Sequence, residues 1–83
     1  MAELIQEYTD AVRDERGNLY VARAYGEKSS GGTWVGWLEF RPLGGGRVLR
    51  TERETTQPDR DALAYWASGL EAVYLEGALA RAA

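Results

Sequence analysis

The side chains able to do chemistry are few in kind. The chain of 83 residues contains no cysteine and no histidine. That removes disulfides, thiolate metal sites and cysteine nucleophiles, and with them the residue most often used as base, metal ligand or neutral-pH switch. Acids, arginines and aromatic rings remain. Glu52 with Glu54, and Asp59 with Asp61, are paired acids of the kind that serve acid–base work or an oxygen-ligated metal. Neither pair brings a third ligand at a recognisable spacing, so no catalytic residue, metal or cofactor is expected. Gly44-Gly45-Gly46 is not a phosphate loop, because no Lys-Ser or Lys-Thr follows it and it joins strands instead of opening a helix.

Residues suited to binding are denser. Trp34-Val35-Gly36-Trp37-Leu38-Glu39-Phe40 reads as a central strand with aromatics on alternate faces, or as a stacking platform for bases or an aromatic peptide. Gly36 inside it marks a bulge or a close approach by another group, such as the Trp66 indole. Arg47, Arg50 and Arg53 recur at spacing three, so strand alternation puts Arg47 and Arg53 on one face and Arg50 on the other. With Glu52 and Glu54 interleaved they read as a solvated edge with cross-strand ion pairs. Joined by Arg23 and Arg41 they would be a phosphate-contacting surface. Arg53-Glu54-Thr55-Thr56-Gln57 either caps a helix or sets Glu54, Thr55 and Gln57 beside a helix N-terminus, where an anion could bind.

Turn-forming clusters rich in glycine divide the first two thirds of the chain. Between them lie four strands, about 4–13, 19–27, 33–41 and 47–55, joined as an antiparallel meander. The third is clearest, with Trp34, Gly36, Leu38 and Phe40 on one face and Val35, Trp37, Glu39 and Arg41 on the other. Leu4 to Tyr8 could equally open a short helix. A helix then spans about 58–82, with Thr56 as cap, Pro58 in the first turn, and Leu63, Trp66, Leu70 and Val73 as its apolar stripe. Gly69 looks like a left-handed residue ending a helix, with Leu70 its hydrophobic partner, which would give two helices at about 58–68 and 73–82. One kinked helix stays open. Leu75 and Leu79 form a second stripe, and Gly77 allows close approach. That stripe either meets another subunit or is turned by a bend at Gly69 onto the same sheet. The expected architecture is α+β, one domain over 1–83, with the helical segment on one sheet face.

Leu, Ile, Val and Phe make up 16 of the 83 residues, close to the level at which disorder becomes a concern. The small net charge of −3, three tryptophans and five tyrosines argue for a folded, aromatic-rich core instead. If Trp34, Leu38 and Phe40 meet the helix, Val35 and Trp37 point outward. A small monomer rarely exposes such a patch without a use for it. A homodimer, a protein partner or a ligand would cover it. Net acidity disfavours nucleic acid, since counterion release needs a concentrated basic patch. No apolar run reaches the roughly 20 residues of a membrane span. The start of the chain is acidic and lacks a basic leader, so a cytoplasmic location is expected.

The blocks Trp34–Phe40, Arg53–Gln57, Tyr65–Leu70 and Tyr74–Leu79 resemble those of a family of small uncharacterised bacterial proteins, a domain of unknown function of similar length, over most of residues 8–82. That resemblance implies no activity. The order of four strands then helix is also similar to the units of Whirly-type single-stranded DNA binders, at the level of topology alone. The reading drawn is a non-catalytic, homodimeric interaction module using the Trp37 face or the Leu75–Gly77–Leu79 helix face. The alternative is a single-stranded nucleic-acid binder, with Trp37 and Tyr25 stacking on bases and Arg23, Arg41 or Arg53 on phosphate. Loop length leaves Trp37 opposite either Thr51 or Arg50. The latter would allow a cation–π contact worth roughly 0.5–1 kcal/mol.

Overall fold

The computed structural model describes all 83 residues. In chain order they form β1 (Glu3–Glu7), β2 (Val12–Arg13), β3 (Leu19–Lys28), β4 (Trp34–Pro42), β5 (Leu49–Arg50), β6 (Thr55–Gln57), α1 (Arg60–Ser68) and α2 (Ala72–Arg81). The class is α+β, with an antiparallel sheet and helices at the C-terminal end. The expected count of four strands is corrected to six. β1 and β2 both pair with β3, and β5 and β6 both pair with β4. Four lanes exist, but each outer lane is cut in two, at residues 8–11 and 51–54.

Each cut is bridged by groups that replace the missing ladder bonds. In the first, Tyr8 N–H donates to the Ala22 carbonyl at 3.0 Å. In the second, Thr51 N–H donates to the Leu38 carbonyl at 2.9 Å and Glu54 N–H to the Gly36 carbonyl at 2.8 Å. Leu38 N–H returns the bond to Thr51 Oγ1 at 3.0 Å, so a side-chain oxygen stands where a strand would offer a carbonyl. Thr51 is 2% exposed. Thr51→Val keeps the shape and removes the acceptor, leaving a buried N–H unpaired. A loss of about 1–3 kcal/mol is expected in denaturant unfolding, and Thr51→Ser should lose less.

Register decides which residues meet the helices. Ala22 faces Phe40, Ala24 faces Leu38 and Gly26 faces Gly36. Residues directly opposite share a face, so these six point together toward α1 and α2. Leu38, Phe40, Ala22 and Ala24 join Val12, Ala67, Leu75, Ala78 and Leu79 in one buried cluster. The paired glycines make a notch in the sheet for Leu63 of α1, which is 1% exposed. A Cβ on Gly36 would stand 2.7 Å from Leu63 Cδ1 and 3.1 Å from Thr55 Cγ2; one on Gly26 would also run into Leu63. The close group is therefore Leu63 first, with the Trp66 ring farther off at 3.6 Å.

Two helices form, not one. Asp59, not Thr56, caps α1, its carboxylate accepting from Ala62 N–H at 2.8 Å, while Thr56 and Gln57 prolong strand β6. Gly69 closes α1 in a right-handed conformation, φ −95°, so the left-handed ending expected there does not occur. Extended backbone at Glu71 then redirects the chain into α2. That turn brings both stripes onto the same sheet. Leu75 and Leu79, at 5% and 4% exposure, are core residues, which corrects their reading as a subunit interface. Gly77 lies on the opposite, exposed side of α2, and Val73 leaves the expected stripe for solvent.

The first gap also anchors α1. Tyr8 Oη donates to the Ala67 carbonyl at 2.7 Å, satisfying one acceptor at the helix end. Burial, and then neighbouring Tyr74, push the Tyr8 phenol from 10.0 up to about 12. The folded chain therefore holds a proton that the unfolded chain releases near pH 10. Its contribution is complete below that value and is lost as pH rises toward 12. Because the ring is only partly buried, a loss of only about 1 kcal/mol across that window is expected. Denaturant midpoints measured against pH should show it, and Tyr8→Phe should flatten the slope.

Candidate interaction face

No helix covers the other side of the sheet. Opposed pairs place its residues. Leu4 faces Tyr25, which faces Trp37. One step along, Glu7 faces Arg23, Arg23 faces Glu39, and Glu39 faces Arg50. Beyond lie Val21 opposite Arg41 and, at the other end, Glu27 opposite Val35. The rings of Tyr25 and Trp37 stack at 6.4 Å and 17°. The Arg50 guanidinium sits 4.4 Å from the Trp37 ring centroid. Trp37 is opposite neither Thr51 nor Arg50 in the ladder, because it faces the gap at 51–54. The cation–π contact forms on the diagonal, from the residue paired with Glu39.

This packing corrects the expected exposure of Trp37. It is 5% exposed without help from either helix, and its Nε1 is buried with no hydrogen-bond partner. The open apolar surface belongs instead to Leu4, Leu19 and Leu43, at 46%, 40% and 58%, with half-buried Tyr25, Val21 and Val35 between. Leu43 continues the register opposite Leu19, its N–H on the Leu19 carbonyl at 3.0 Å. The face thus has an apolar row at each end and a charged belt between.

Some charges of the face are paired within the chain. Arg23 Nε meets Glu7 Oε1 at 2.9 Å, and the Met1 amino group meets Glu27 at 2.9 Å. Glu39 is half-buried and has no ion pair, since Arg23 is held by Glu7 and Arg50 lies on Trp37. Arg41 is exposed and unpaired. Arg13, Arg23, Arg41 and Arg50 share this face with Glu7, Glu27 and Glu39, so it is close to neutral overall.

The polar run before α1 is not part of this face. Glu54 turns toward α2, accepting from Tyr74 Oη and from Arg81 Nη2, each at 2.6 Å. Its side chain is 8% exposed. The Arg81 guanidinium also lies 6.0 Å from the Tyr74 ring, which meets Trp66 edge-on. Burial first, then Glu54, raises the Tyr74 phenol above its ordinary value. Glu54 is therefore a brace tying α2 to the second strand gap. Gln57 donates to Thr55 Oγ1 at 2.6 Å, and Asp59 already occupies the N-terminus of α1. No anion site forms there. Arg53 is exposed in the gap, where strand alternation does not apply, so its pairing with Arg47 on one face falls away. Tyr74 and Arg81 were not foreseen as partners of Glu54. Their spacing of seven, two turns along one helix face, was the available signal.

The largest groove, about 840 Å³, lies elsewhere, between the Arg13–Tyr20 hairpin and the outer side of α2 at Val73, Gly77 and Ala80. Its rim is built by Asp14, which accepts from the Asn18 amide and from the Arg16 and Asn18 backbone. The Asn18 side chain foremost holds the Asp14 carboxyl below the usual range. These bonds fold the turn. No three acidic side chains are grouped to hold a metal ion, and no helix is long and apolar enough to cross a membrane. Comparison with models of protein families, with curated proteins and with solved structures finds no match to this chain.

Proposed function

We propose that the protein is a non-catalytic interaction module of the bacterial cytoplasm that pairs with a second copy of itself through the helix-free sheet face. One observation carries the reading: three of the exposed large apolar side chains, Leu4, Leu19 and Leu43, lie on the side of the sheet that no helix covers. A sheet face with that content is normally the inner face of a packed pair of layers, about 10 Å from its neighbour. The alternative of single-stranded nucleic acid has less support. Base stacking needs an open ring, and Trp37 is covered by Tyr25 and Arg50. Arginines and glutamates alternate on the face, so phosphates would meet both signs.

Sedimentation velocity over a wide concentration range tests this. The dimer fraction should rise with concentration, and Leu4→Glu, at a position outside the buried cluster, should lower it. A chain that stays monomeric throughout contradicts the proposal. Binding of a labelled oligonucleotide by that monomer, weakened by salt, would favour the alternative.

A further inference from the structure

The arrangement of this face points to one geometry for its partner. We infer that the second copy docks about a two-fold axis passing through the charged belt between Glu39 and Arg41, so that Glu39 of each copy meets Arg41 of the other. The inference rests on the self-association proposed above and adds the axis and the contacts.

The argument begins with charges left over inside the chain. Glu39 is half-buried between two arginines and bonded to neither, because Glu7 and the Trp37 ring hold them. Arg41, two residues along the same face of β4, is exposed and has no carboxylate. In an isologous interface every contact occurs twice, with donor and recipient exchanged. One unpaired acid and one unpaired base, side by side on a strand, satisfy that condition about an axis between them. Their flexible side chains can reach across the roughly 10 Å between stacked sheets.

The apolar residues obey the same axis. Toward one end of β4 lies the Leu4–Tyr25–Trp37 row with Val35; toward the other lie Val21, Leu19 and Leu43. A two-fold through the belt exchanges the ends. It sets the exposed Leu19 and Leu43 of one copy on the aromatic row of the other, where the Tyr25 and Trp37 rings are stacked and Leu4 is exposed. An axis through the aromatic row would instead leave Leu19, Leu43, Glu39 and Arg41 all unmatched.

Charge reversal with mixing decides the matter. Glu39→Arg and Arg41→Glu are each expected to weaken self-association on the order of tenfold or more, because like charges then face each other twice. An equimolar mixture of the two variants restores both opposite-sign contacts and should form a heterodimer with affinity near that of the native pair. The double variant E39R/R41E should self-associate as the native chain does. Circular dichroism melts identify any variant that has lost its fold, and the double variant carries both substitutions as an internal control. If the native chain dimerises but the mixture does not recover, the axis is wrong and the interaction module stands. If the native chain never dimerises, the proposed function falls, and this inference with it.

Discussion

Leu63→Ala is expected to cost about 2–5 kcal/mol, and Gly26→Ala about 1–3 kcal/mol, yet the double variant should lose clearly less than their sum. Leu63 is 1% exposed and fills the notch left by the absence of side chains at Gly26 and Gly36. Truncating it opens a cavity between α1 and the sheet, and a shortened side chain cannot reach the backbone of β3 and β4. Adding a methyl at Gly26 is the reverse fault, since it enters the space of the Leu63 methyl groups. A Leu63 free to swing aside would escape, but it is held between two strands and α1. Together the substitutions exchange volume across the contact, and the added methyl occupies part of the space vacated. A domain of this size has only about 5–10 kcal/mol to lose, so Leu63→Ala should show a large drop in denaturant midpoint. Strict additivity in the cycle would mean that the glycine notch is not what seats Leu63.

Trp37 yields the second large effect. Trp37→Ala is expected to lose about 3 kcal/mol, the lower end of the range for removing a buried ring, because no helix lies above the gap and water can enter it. Tyr25 would lose its stacked neighbour and Arg50 the ring beneath its guanidinium. Trp37→Phe should lose about 1 kcal/mol or less. The smaller ring sacrifices buried area, but it also removes an indole N–H that is buried with no acceptor, and such a group carries its own penalty of about 1–3 kcal/mol. Equal losses in the two variants, measured by denaturant unfolding, would show that the N–H is satisfied after all. The phenylalanine variant should still self-associate, since a flat aromatic row remains.

How far the sequence foretold this fold depends on the range of the interaction. Alternation along Trp34 to Arg41 sorts the β4 side chains between helix side and free side, because it depends only on strand geometry. The division of the helical segment near Gly69 was legible from one glycine in an apolar stripe, although its backbone angle was not. The cut outer lanes were not legible. Nothing local at Thr51 announces that its hydroxyl will stand in for a carbonyl opposite Leu38, thirteen residues away. The cap shifted from Thr56 to Asp59 because Thr56 is drawn into pairing with Val35. Glu54 looked like part of an anion site because its partners, Tyr74 and Arg81, are 20 and 27 residues downstream. On the candidate face the register was the missing fact. Only when Tyr25 is set opposite Trp37, and Arg50 opposite Glu39, does Trp37 become covered and Leu4, Leu19 and Leu43 become the open apolar surface.

The most direct test of the central claim is an isotope-filtered nuclear Overhauser spectrum of an equimolar mixture of labelled and unlabelled chains. Contacts between molecules should join the Leu19 and Leu43 methyl groups of one copy to the Tyr25 ring and Leu4 methyl groups of the other. Intermolecular contacts confined to Val73 and Gly77 on the outer side of α2, or none at concentrations where the chain is fully paired, would contradict a partner seated on the helix-free sheet.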